Sequence, residues 1–391
     1  MPTFINFNSI SGVSTVSVDT SISVGSGIGV TAKGLTGVES INAGSISGAR
    51  NRIINGDMRI DQRNAGASAT ISGDPIYNLD RWAGYKGTVP NFTIIRSGTV
   101  PVGFTSSLLA TMGTGTSPGS TGYAAFGQRI EGFNIADLLW GTSNAKSVTL
   151  SFWVNCSVTG TFGVSFRNAN QDTTYCSTYT INSTNTWEYK IITVPGVTTG
   201  TWFTDNRSGI EIYWDLGVGT TYSGTAGQVN SGTNYFGVTG TTKLCSTTGA
   251  TFYLTGVQLE VGSSATAFER RSYGQELALC QRYCLVDTNN SQPYRWFASG
   301  HTATTTYAYV GRQLPVTMRT APSLTVSNGT QFYLDAPVGG QVATSVVDTG
   351  FASASVVRIT VNISGGTANV PCWLASDSNA SLRSITYSAE L

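Results

Sequence analysis

Glu211 and Asp215 stand four residues apart in "GIEIYWDLG". On a strand, positions four apart share a face, and Tyr213 between them shares it too. Two carboxyls beside an aromatic ring are what hydrolysis of a glycosidic bond uses: one protonates the leaving oxygen, the other is base or nucleophile. Glu188 and Asp205 are further carboxyls in the same region. The same spacing also suits the solvent face of a sandwich strand, with Ile210, Ile212 and Trp214 turned inward, and that is the reading adopted. The single histidine, His301, has no serine-nucleophile motif near it. "GTSNA" and "VGSSA" lack the G-x-S-x-G elbow. No glycine-rich phosphate loop runs into a helix, and no His and carboxylate set resembles a metal site. The expectation is a protein that is not an enzyme, with no catalytic residue, metal or cofactor.

A second group of residues suits binding. "NNSQPYRWFASGHT" puts Tyr294, Arg295, Trp296 and His301 in a polar loop, and Tyr307 and Tyr309 lie a few residues further on. Tyr307 and Tyr309 flank Ala308, so they share one strand face, and one face of a strand is often solvated. Exposed rings there would contact a sugar or peptide at low conformational-entropy cost. The competing reading makes Trp296 and Phe297 core residues at the start of a strand. The six cysteines, Cys156, Cys176, Cys245, Cys280, Cys284 and Cys372, are scattered, with no C-x2-C spacing. They are read as free buried thiols.

These residues must be positioned by strands. Charged residues are 11% of the 391, against roughly 25% in an average soluble protein. Hydrophobic residues are 40% and aromatic 10%, so the chain is not disordered. The 46 glycines and many Ser and Thr suit strands joined by tight turns. A net charge of +1 provides no footprint for nucleic acid or an anionic membrane. No apolar run approaches the ~20 residues of a membrane span. "MPTFINFNSI" has no basic residue before an apolar run, so no secretory signal is expected.

Val16, Val18, Ile22, Val24, Ile28 and Val30 all fall at even positions, which is strand alternation over a long stretch. Such a face must pair, either in a hairpin at the edge of the next domain or with copies of itself; the second is the reading adopted. Residues 1–50 are therefore an extended oligomerising β segment. From 51 to 271, short strands and Gly turns recur with little helical spacing, which means a β-sandwich or jelly roll. "SVTLSFWVNCSV" places Val148, Leu150, Phe152, Val154 and Cys156 on one face, and "ATFYLTGVQLEVG" closes the set of strands with Phe252, Leu254, Val257 and Leu259. Leu277, Cys280, Tyr283 and Cys284 have helical spacing, so a linking helix is assigned to 272–290. Residues 291–391 form a smaller C-terminal β domain.

The most charged stretch near the start is "NRIINGDMRIDQR", residues 51–63, with three arginines and two aspartates. Ile53, Met58 and Ile60 suit the buried side of a strand, Arg59 and Asp61 its wet side, and Asn55-Gly56 a turn. Asp80 and Arg81 suggest an ion pair under the Trp82 indole. "NRIINGDMRIDQRNAG" with "YNLDRWAGY" resembles the start of a domain found in bacteriophage tail-fibre and related virion proteins. "FYLTGVQLEVGSSATAFERRSYGQELALCQRY" resembles the end of that domain, and "LPVTMRTAPSLTV" resembles the segment after it in such proteins. Such domains resemble jelly-roll carbohydrate-binding modules. The resemblance implies a homotrimeric virion appendage, on the tail or capsid, folded in the host cytoplasm. Its first segment would meet other virion proteins. It supplies no ligand and no catalytic residue. The function expected is a phage fibre that adheres to a host-surface glycan or protein without catalysis. A decoration fibre with no receptor role is the alternative, and a glycan depolymerase the less favoured one. Residues 51–63 would then mark where stalk becomes globular domain, the competing reading being a ligand contact.

Overall fold

The structure is a computed structural model that describes residues 40–41, 44–45, 50–232, 235–327, 332–337, 341–342, 345–378 and 382–391. The chain divides into residues 1–39 and 40–391. The expected oligomerising face, Val16 to Val30, lies outside the described residues.

Alternation of apolar and polar residues builds two β-sandwiches. The first pairs a seven-stranded with a six-stranded sheet. The seven run in the order Gln228–Ser231, Thr173–Ile181, Gly160–Arg167, Ser208–Val218, Tyr123–Glu131, Ala83–Lys86, Ile76–Tyr77. The six run Glu188–Val194, Val148–Cys156, Thr251–Val261, Ser107–Met112, Phe92–Ser97, Ala69–Ile71. All these pairings are antiparallel. Val148, Leu150, Phe152, Val154 and Cys156 are fully buried in one core with Phe252, Leu254, Val257 and Leu259. Rings cross between the sheets: Phe152 lies 5.6 Å from Trp214, and Phe126 lies 5.7 Å from Phe252. Such interdigitated inner faces are what hold a sandwich together.

The second sandwich has its own core. Its small sheet orders Cys284–Thr288, Ser384–Ser388, Ser323–Val326. Its large sheet orders Gln341–Val342, Phe332–Asp335, Pro371–Ser376, Trp296–Thr302, Tyr307–Gln313, Val356–Asn362, Ser345–Ala352. Between the sandwiches lies one α-helix, Tyr273–Gln281, started by a capping box in which Ser272 and Gln275 satisfy each other's main-chain N–H. The linking helix expected over 272–290 is thus nine residues long. Cys284 begins a strand instead, because its neighbours pair with Ser384–Ser388. Among the described residues no helix is long and apolar enough to cross a membrane.

Residues 51–63 are not a strand; they form an irregular clasp. Ile53, Met58 and Ile60 are buried as expected. Several of the polar side chains are buried too, because they satisfy main-chain groups of the domain's far end. Asn51 Nδ2 donates to Val257 O (3.0 Å), and its Oδ1 accepts from Ile53 N and Leu259 N. Val257 N donates to Gly56 O at 2.9 Å, and a Cβ on Gly56 would lie 2.2 Å from Val257 O. Asn55, in the left-handed region at φ 57°, donates to the carbonyls of Ile60 and Asp80. Arg271 donates to the carbonyls of Ile53 and Asn51 and pairs with Glu276. The charged stretch therefore joins the start of the first sandwich to its end.

The expected Asp80–Arg81 pair under Trp82 is not formed. Trp82 is in the core, its Nε1 donating to Asn55 O. Arg81, in the left-handed region, turns to Glu390, and its guanidinium lies 3.6 Å from the Tyr283 ring centroid. Arg63 takes the other Glu390 oxygen at 2.9 Å. Arg282 and Tyr283 hold Glu131 at 2.5 Å each. These pairs, whose carboxylates are buried, dock the second sandwich on the first. Asp80 accepts from Gln62 instead, and burial pushes its carboxyl up to about 7.

Candidate functional site

The two carboxyls with glycosidase-like spacing are not on a solvent face. Every residue of Ser208–Val218 is buried. Segment 235–243 folds over the outer side, so that Phe236 packs on Tyr213 (5.1 Å) and Val238 N reaches Asp215. Glu211 receives Arg167 Nε (3.1 Å) and Nη2 (2.6 Å), the Tyr213 hydroxyl (2.8 Å), and Arg129 Nε at 3.3 Å. The Arg167 guanidinium lies between Tyr213 and Phe236, 4.7 Å from each ring centroid. Asp215 accepts from Gly217 N, Val238 N and the Thr241 hydroxyl, with Lys243 at 3.9 Å. Both carboxylates are engaged by the fold. Four residues of strand also separate them by roughly 13 Å, beyond the ~5–9.5 Å of a glycosidase pair. Glu188 is held by Lys190 and the main-chain N–H groups of Asn182 and Ser183, which draw it down to about 2. Asp205 pairs with Arg207 at the surface. Among the described residues no three His, Cys, Asp or Glu side chains converge as a metal would need.

The second constellation does come together, on the outer face of the large C-terminal sheet. Trp296 is not in a loop: it starts a strand, and it is 55% exposed while Phe297 is core. A register shift between Trp296 and Ala298 explains the split. The bulge lets Phe297 and Ala298 both face the core, and the Trp296 ring is re-aimed outward. There it stacks on Trp373, centroids 5.2 Å apart and planes 18° apart. The neighbouring outward positions are small. Ser299 stands opposite both Trp373 and Gly311, and Gly311 opposite Arg358. The result is a shallow depression of about 360 Å³ walled by the two indoles and floored by Ser299 and Gly311.

The next row across the sheet carries His301 opposite Tyr309. Tyr309 lies 5.3 Å from Tyr307 and 6.3 Å from His301, with the Arg358 guanidinium 4.3 Å over its ring. Tyr294 is exposed and meets Tyr333 edge-on at 6.0 Å. Arg295 differs from the rest: it pairs with Asp287 at 2.8 Å and donates to Thr288 O, bridging the two C-terminal sheets. Of the six residues named from sequence, Trp296, His301, Tyr307 and Tyr309 share this face; Tyr294 lies at its margin and Arg295 serves the joint. Sequence reasoning missed Trp373, Tyr333 and Arg358. Each alternates with buried neighbours (Cys372 and Leu374, Phe332 and Leu334, Val357 and Ile359), and that alternation was the available signal.

No protein-family profile matches the chain, and no curated protein sequence matches it. Among solved structures it is similar to the enzymatically active domain of tailspike protein 4 of bacteriophage CBA120, at 14% identity and a TM-score of 0.31. That match covers 55% of this chain and 22% of the tailspike chain. It is also similar to a CBM4 module (16% identity, TM-score 0.29, 53% of this chain and 98% of the module). A family 11 carbohydrate-binding module of Clostridium thermocellum matches at 14% identity and a TM-score of 0.25, over 52% of this chain and 99% of the module.

Proposed function

We propose that the chain is a non-catalytic glycan-binding appendage of a phage virion, its contact surface being the outer face of the C-terminal sheet. The observation that carries this reading is the exposed Trp296 ring stacked on half-buried Trp373 in mid-sheet, beside a depression floored by small residues. Large aromatic area left in water on one face is costly unless a partner covers it. A flat ring pair matches the apolar face of a pyranose, and His301, Arg358 and Ser299 supply directional hydrogen bonds around it. The virion setting, the jelly-roll kinship and a homotrimer held through residues 1–50 rest on the strings at 51–66 and 252–283. Binding without turnover accords with the engaged state of Glu211 and Asp215. Trp373→Ala and Trp296→Ala are expected to weaken adsorption to host cells about tenfold or more, roughly 1.4 kcal/mol, with melting temperatures within a few degrees of wild type. Adsorption unchanged in both folded variants would refute the contact and favour a decoration fibre. Release of reducing sugar from host glycan would favour a depolymerase.

A further inference from the structure

The outer face of the first sandwich holds a second aromatic groove, distinct from the C-terminal face. Its floor is a bulge. Thr255 pairs with Trp153 and Gln258 with Ser151, so Gly256 and Val257 stand against Phe152 alone, one residue more than the partner strand has. Val257 turns into the core, and Gly256 is left facing out at φ 62°. A Cβ on Gly256 would lie 2.6 Å from the Phe104 ring and 3.1 Å from the Trp153 ring, so both rings close directly on bare backbone. Tyr189 extends the floor from Trp153 (centroids 5.3 Å apart), and Phe268 packs on Phe104 at 5.3 Å. The groove holds about 520 Å³, within the ~300–1,000 Å³ of small-ligand sites.

One wall is set rigidly. Thr266 donates through N and Oγ1 to the two oxygens of buried Glu260, at 2.8 and 2.7 Å. Glu269 N donates to Gln258 Oε1 at 2.7 Å. The segment carrying Phe268 and Arg270 is therefore fixed to the strand beneath it. Among the described residues, Arg270 is the one charged side chain lining the groove. Its guanidinium lies 4.8 Å from the Phe104 centroid and 5.6 Å from that of Phe268, and one N–H donates to Gly103 O at 2.5 Å. No carboxylate among the described residues lines the groove; the adjacent Glu269 is turned to Asn51 N and Arg271.

We infer that this groove binds a carboxylated pyranose, a uronic- or sialic-acid-type residue of a glycan, with the ring on Trp153 and Tyr189 and the carboxylate on Arg270. A guanidinium fork planted on two rings presents its remaining N–H donors in fixed geometry, which suits a carboxylate. The site is separate from the C-terminal sheet face and does not depend on it. The test is tryptophan-fluorescence titration of the full chain with tetragalacturonate and, as neutral control, maltotetraose. Tetragalacturonate should bind at least tenfold more tightly than the neutral sugar, and Arg270→Gln should remove that preference with the melting temperature unchanged. Trp153→Ala should weaken binding of tetragalacturonate, whereas Trp373→Ala should leave it intact. Equal binding of the two sugars, or an Arg270→Gln variant that keeps the preference, would overturn the inference. So would a Trp153→Ala variant whose sedimentation changes while its sugar binding does not, since the groove would then be a contact between copies of the chain.

Discussion

Replacing Glu211 by Gln tests the core of the first sandwich and the non-catalytic reading together. The Glu211 side chain is 4% exposed and that of Arg167 1%. Glutamine keeps the shape and one acceptor but removes the carboxylate that faces two guanidiniums, Arg167 at 2.6 Å and Arg129 at 3.3 Å. Arg167 cannot shed its charge and cannot reach water, because Phe236 and Tyr213 cover it. Removing one member of a buried ion pair costs about 3–5 kcal/mol, most of it the unpaired charge left behind. Urea unfolding followed by tryptophan fluorescence suits the measurement, since Trp214 lies in the same strand and in the core. With a slope of roughly 2–3 kcal/mol per molar, the midpoint should fall by about 1–2 M. Replacing both partners, Arg167→Met with Glu211→Leu, should recover part of the loss, because the fully buried Arg167 charge is then no longer stranded, while the less buried Arg129 keeps its bond to Leu391 O. A midpoint for Glu211→Gln within about 0.3 M of wild type would refute the argument, for a solvent-facing carboxylate would behave that way. Loss of a glycan-cleaving activity at unchanged stability would refute the non-catalytic reading instead.

Asp80 should make stability depend on pH. Burial raises its folded-state pKa to about 7, above the unfolded value. Folding therefore takes up a proton, and stability is lost as the pH rises from about 4 through about 7. Asp80→Asn should gain on wild type by up to about 4 kcal/mol between pH 4 and pH 8 in urea titrations, and a difference that stays constant would contradict this. All six cysteines are free and buried, with burial pushing Cys156 up to about 11 and Cys176 up to about 12. A thiol reagent should react slowly with native protein and find close to six thiols after denaturation without reductant; two or fewer would refute free thiols. The full chain should sediment as a trimer and a chain lacking residues 1–39 should not, whereas a stable full-length monomer at micromolar concentration would remove the oligomerisation proposal.

Period-two alternation in the sequence determined the all-β class and most of both cores, because a strand with one buried face must alternate. Val148 to Cys156 faced the core as read. Even the parity break from Leu254 to Val257 recorded the bulge that turns Gly256 to the outer side, beneath Phe104 and Trp153. The polar clasp was legible as a concentration of charge, but its partners were not. Asn51 bonds Val257 and Arg81 bonds Glu390, separations at which one-dimensional spacing holds no information. Tertiary structure alone decided the candidate sites. Alternation specifies two faces of a strand but not what covers the second one. For Glu211 and Asp215 it was segment 235–243, which turned a wet face into a buried ion-pair layer. For Trp296 a single extra residue reversed the pleat, sending Phe297 inward and the indole out to Trp373. A carboxylate or a ring acquires its chemistry from the dielectric and partners around it, and those are set by chain segments far away in sequence.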